Sequence, residues 1–97
     1  MEEVRRISDI PELSNSAPAY PISSLVDKEI IVYALEKTKT QFGEAWVVHF
    51  MFQETGQRGR TFTSGVVLSR KLAHIKEKNL LPIQGRIVRP GRYYDII

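Results

Sequence analysis

The feature that most limits the fold of this chain is a change of hydrophobic period, from two to helical spacing and back to two, between Glu29 and Ile97. Glu29–Lys37 (EIIVYALEK) is rich in β-branched and aromatic residues and reads as a strand. A polar loop, Thr38–Gly43, leads to a long second strand at Glu44–Gln53 (EAWVVHFMFQ). Glu54–Gly59 carries two glycines as a hairpin connection, and Arg60–Thr63 makes a short third strand. Val67, Leu68, Leu72 and Ile75 then recur at helical intervals on one face. Ser64 is the expected N-cap and Asn79 the expected closing residue of that helix. Alternation resumes at Ile83–Arg89 and Arg92–Ile97, joined by Pro90-Gly91, with Gly91 expected to take positive φ in a tight turn.

The predicted order is β-β-β-α-β-β. A five-stranded barrel with its helix between the third and fourth strands is the layout of the OB-fold, a small partly open Greek-key barrel. Residues 1–27 do not read as core, because their few apolar side chains are spread among Ser, Asn, Ala and the prolines Pro11, Pro18 and Pro21. The expectation is an extended N-terminal arm over 1–27, with one helical turn at Ser23–Val26, followed by a single domain over 28–97. At 97 residues there is no material for a second core. Cysteine is absent, which excludes disulfides, Cys-ligated zinc and thiol nucleophiles. No apolar run reaches membrane-spanning length, and no secretory h-region is visible near Met1. An intracellular, cytoplasmic, cofactor-free protein is the expectation.

Charge is unevenly placed. Residues 1–35 carry three basic groups against six acidic ones, whereas 36–97 carry eleven against five, for a net charge of +3. A basic domain behind an acidic leader points to a polyanion partner. Catalysis is poorly supported. His49 and His74 are the only histidines and neither has a carboxylate or serine at an informative spacing. No phosphate cradle, carboxylate pair or metal-ligand cluster is visible either.

Single-strand binding needs a basic groove and rings on which bases stack. Lys37, Lys39 and Phe42 belong to the first hairpin, Trp46 to the second strand, and Arg58, Arg60 and Phe62 to the approach and body of the third. Arg86, Arg89, Arg92 and Tyr94 crowd the last hairpin. These are the elements with which an OB-fold holds oligonucleotides. The rings have a second reading as barrel core, and Phe62 leans that way. The long second strand offers two faces, Trp46/Val48/Phe50/Phe52 and Ala45/Val47/His49/Met51. Hydrophobicity sends the first inward, yet a small barrel can also take Ala45, Val47 and Met51 inside.

The stretch Ile22–Tyr94 resembles small single-stranded-DNA-binding proteins of the OB-fold type encoded by bacteriophages and related mobile elements. The likeness runs through PISSLVDKEIIV, TKTQFGEAWVV, RTFTSGVVL, LLPIQGRIV and the closing GRYYDI. It implies non-catalytic, sequence-tolerant coating of single strands in DNA replication or recombination, in a bacterial host cell if phage-encoded. It also implies Trp46 on the binding face and His49 towards the core. Single-stranded DNA is the implied partner, with a homodimer compatible with so short a groove. Replication or recombination proteins could meet the N-terminal arm, since the acidic tail common among such binders is not seen after Asp95-Ile96-Ile97. Two rival readings remain open: an RNA-binding OB domain, and a protein-interaction barrel of a phage or mobile element.

Overall fold

The computed structural model describes residues 17–41 and 43–97. Five strands form one antiparallel sheet: β1 (Glu29–Thr40), β2 (Gly43–Phe52), β3 (Arg58–Thr63), β4 (Ile83–Val88) and β5 (Asp95–Ile96). One helix, α1 (Val66–Glu77), lies between β3 and β4 in the chain. The spatial order is β3-β2-β1-β4-β5, so β1 is the central strand and β3 and β5 lie at the two ends. No ladder joins β3 to β5 among the described residues, and the sheet is not closed into a barrel.

β1 serves two partners. It pairs with β2 from Ile30↔Phe52 to Thr40↔Gly43, and with β4 only from Glu29↔Arg86 to Val32↔Ile83. The β1–β2 register slips between Val32 and Ala34, next to the last β4 pair. An extra residue at such a bulge bends the strand and resets its alternation. Ile30, Val32 and Leu35 are consequently the buried β1 residues, a spacing of two and then three. The inner face of β2 supplies Trp46, Val48 and Phe50, and α1 adds Leu68, Leu72 and Ile75. Ile87 and Ile96 complete the core from β4 and β5.

α1 starts one residue later than expected. Gly65, not Ser64, is the N-cap, and no side chain caps the first turn. Asn79 closes the helix as expected, with φ at 55°. The Asn79 N–H donates to the Lys76 carbonyl and the Leu80 N–H to that of Ile75, a Schellman ending. A salt link then ties helix to sheet. Lys71 Nζ lies 2.8 Å from Asp95 Oδ1 and donates to the Ile96 carbonyl at 2.9 Å.

Three expectations are corrected. The final strand is Asp95–Ile96 instead of Arg92–Ile97, and residues 89–94 form a wide bend in which Gly91 does not take positive φ. The loop expected over Thr38–Gly43 shrinks because β1 runs on to Thr40. Leu25, placed in an arm that did not read as core, is fully buried. The expected helical turn is a 3₁₀ turn at Ile22–Leu25, and the Asp27 N–H donates to the Ile87 carbonyl. Upstream of it, the Tyr20 N–H donates to the Arg60 carbonyl and the Arg60 N–H to that of Pro18, adding a short parallel pairing along the outer edge of β3. The Tyr20 ring covers Gly59 and packs against Phe50 and Phe52 at centroid distances of 5.9 and 5.3 Å.

Two outcomes are expected. A Cβ at Gly59 would sit 2.5 Å from the Tyr20 ring and 2.9 Å from Phe50. Gly59→Ala should therefore destabilise the domain by about 1–3 kcal/mol in chemical denaturation, and Tyr20→Ala in the same chain should recover part of that loss. The Asp95 carboxyl is held below its ordinary value, chiefly by the hydrogen bond from Lys71 and against the opposing effect of burial. Its contribution is fully present above the ordinary carboxylate range and is lost as pH falls through the lowered folded value. Lys71→Met should flatten the acid limb of a stability-versus-pH curve.

Candidate nucleic-acid interface

The strand alternation sorts the candidate residues by face. On β3, Gly59, Thr61 and Thr63 are buried inward, opposite Phe50, Val48 and Trp46. Arg58, Arg60 and Phe62 occupy the intervening positions and share the outer face with Met51, His49 and Val47 of β2. The inner positions of β3 are small because the large rings of β2 and Tyr20 already fill the space there. Phe62 is therefore turned out, at 47% exposure, against the leaning that assigned it to the core. Arg58 is exposed, and Arg60 is half-buried with its backbone paired to the Pro18–Tyr20 segment.

Trp46 is the main correction. It is only 6% exposed and packs in the core with Val48 and Phe50. The resemblance-based placement on a binding face does not hold, and the simpler hydrophobic reading of β2 does. His49, expected towards the core on the same ground, lies on the opposite, outer face and is nevertheless buried. Its Nε2 lies 2.8 Å from Glu36 Oε1. Its Nδ1 has no partner, and neither has Arg60 Nε beside it on β3. Ala45 and Val47 on the outer face are buried as well, so access to this side is concentrated on β3.

The remaining candidates do not converge on that face. Lys37 is paired with Trp46 and follows it to the inner side, where its Nζ lies 5.3 Å from the indole centroid. Lys76 of α1 approaches the same ring at 5.9 Å. Two ammonium groups thus lie over one indole ring, a cation–π arrangement in which Lys37 also lies 3.9 Å from Glu44. Lys39 is exposed two residues further along, and Phe42 lies outside the described residues. Lys76 was missed from sequence because only tertiary packing brings α1 to the first hairpin.

Arg86, Arg89, Arg92 and Tyr94 gather at the other end of β1. Glu29 opens that strand and pairs with Arg86, whose Nε lies 3.6 Å from the Glu29 carboxylate. The Arg89 guanidinium stacks over Tyr94 at 5.2 Å, which leaves the half-buried Tyr94 ring already occupied on one side. Ten residues separate Glu29 from Lys39, roughly 33 Å at the strand rise of about 3.3 Å per residue if the strand were straight. Nine of the eleven candidates thus resolve into an outer-face group on β3, a lysine pair at the β1–β2 hairpin and an arginine-rich far end, while Trp46 lies in the core and Phe42 outside the described residues. Among the described residues, no group of three or more His, Asp or Glu side chains is placed to hold a metal ion, and no helix is long and apolar enough to cross a membrane.

Residues 16–97 match the family described as "Domain of unknown function (DUF8468)". The chain belongs to that family. The span matched to DUF8468 includes Tyr20 and Leu25 together with all five strands. No curated protein and no solved structure matches the chain.

Trp46→Ala should cost about 3–5 kcal/mol of stability, the range for removing a large buried aromatic side chain, as read from urea unfolding. A folded variant of near wild-type stability would return the indole to the surface.

Proposed function

We propose that this domain binds single-stranded DNA without catalysis, as an open OB-type module, in replication or recombination. The observation that carries the reading is the outer row of β3, where exposed Phe62 follows Arg58 and Arg60 at strand spacing on one face. A base stacks on the Phe62 ring, and the two guanidiniums meet flanking phosphates. Arginine suits both tasks, since its planar fork contacts phosphate oxygens and also stacks on bases.

Two further features support the reading. The strand order β3-β2-β1-β4-β5, with α1 between β3 and β4, is that of a five-stranded Greek-key barrel opened between β3 and β5. The basic ends of the sheet, Lys37 and Lys39 at one and Arg89 and Arg92 at the other, add positive charge away from the β3 row, where long-range attraction of the phosphate chain needs no shared face. These groups steer the phosphate chain, while the β3 row supplies the contacts.

Fluorescence anisotropy of a labelled oligo-dT, titrated at low and moderate salt, tests this. Phe62→Ala should lose about 1–3 kcal/mol of binding without unfolding the domain, because the ring is half-exposed. Arg58→Ala with Arg60→Ala should weaken binding to all sequences alike. At about 0.7 per phosphate for single strands, the pair should reduce the slope of log K against log salt by about 1.4. Unchanged affinity and slope in both variants would remove β3 from the site, and no binding by wild type at low salt would reject the function. A matched RNA competitor in the same assay separates DNA from RNA binding.

A further inference from the structure

We propose that the cleft between α1 and the β4–β5 end of the sheet docks an acidic peptide segment of a partner protein, anchored by an aliphatic side chain. The cleft has a volume of about 410 Å³, within the range of sites that hold a ligand or a few side chains. Ile75 of α1, Ile83 of β4 and Ile96 of β5 contribute apolar walls. The sheet comes close here because Gly85 has no side chain; a Cβ there would lie 2.9 Å from Ile96.

Charge and shape together specify the occupant. Arg70, Lys71 and His74 of α1 line the cleft, and no acidic side chain does. Lys71 is committed to Asp95 and the Ile96 carbonyl, whereas Arg70 and His74 have no carboxylate partner among the described residues. The unpaired guanidinium of Arg70 beside an apolar floor favours an anion with an apolar anchor. His74 is the one ring in the lining, which offers a nucleobase no Phe, Tyr or Trp platform of the kind Phe62 provides on β3. Leu80 and Ile97 also line the cleft and remain 44% and 67% exposed. Their exposure carries the apolar surface to the open side of the cleft, where a bound chain segment can continue past its anchoring side chain. This inference is independent of the nucleic-acid reading, since it uses none of the β3 residues.

The test uses the full chain and a fluorescein-labelled peptide of aspartates and glutamates carrying two leucines. Saturable binding is expected, with amide chemical-shift changes confined to residues 70–75, 80–85 and 96–97. Arg70→Glu should weaken it about tenfold and Leu80→Ser several-fold, both at exposed positions where the fold is retained, as thermal unfolding verifies. A control peptide with serines for the leucines should fail to bind. Absence of saturable binding, shift changes at Arg58–Phe62 instead, or unaltered affinity in both variants would overturn the proposal. So would dodecanoate shifting the cleft amides while the peptide does not, which assigns the cleft to a small amphiphile. Self-association lost in Arg70→Glu would reassign it to a second copy of the chain. Oligo-dT is titrated separately with the same variants, so each reading stands or falls alone.

Discussion

The structure depends on β1 being shared between two partners. Its first four residues hold β4, its whole length beyond Glu29 holds β2, and the bulge at Tyr33 falls where the β4 pairing stops. Strand alternation is strictly two-fold, so one extra residue decides which later side chains face the core. Leu35 is turned inward by that slip, and Lys37 follows it to lie against Trp46. Without the bulge, Ala34 and Glu36 would continue the inward row begun by Ile30 and Val32, and a carboxylate would point into apolar surroundings.

Register then propagates outward to β3. Once Trp46, Val48 and Phe50 face the core, their cross-strand partners Thr63, Thr61 and Gly59 must face it too. Arg58, Arg60 and Phe62 are left on the other side as a consequence of the pairing. Gly59 has a double role, since the Tyr20 ring occupies the place its side chain would need and the adjacent segment pairs with Arg60. The residues between Pro18 and Leu25 therefore cover part of an edge that would otherwise present unpaired backbone groups. The candidate interface is thus backed by chain that precedes the sheet in sequence.

Much of this was legible in the sequence, for a physical reason. Period-two runs of β-branched and aromatic residues marked four of the strands, and Leu68, Leu72 and Ile75 marked the buried face of α1. Asn79 was legible as the helix stop because few side chains tolerate positive φ so well. The bulge was not, since Tyr33-Ala34 looks like any other step of an apolar strand. The last hairpin was misjudged because Pro-Gly suggests a tight turn locally, while the register that places Ile96 against Ile87 is set by tertiary packing. At the candidate site, the basic residues and rings were found but their grouping was not. Trp46 shows why: its inward placement follows from the hydrophobic alternation of β2, and analogy pointed the other way. The full burial of Leu25 and the partial burial of Tyr20 were not legible, because isolated apolar residues among prolines give no periodic signal.

In the proposed complex, bases contact Phe62 on the outer face of β3. Photo-crosslinking to an oligo-dT containing a single 4-thiothymidine, followed by mass spectrometry of the linked peptide, tests it most directly. The crosslink is expected on the peptide carrying Phe62, competed by unlabelled oligo-dT, and lost in Phe62→Ala. A crosslink confined to residues 89–94 or to the β1–β2 hairpin, with none on β3, would contradict it.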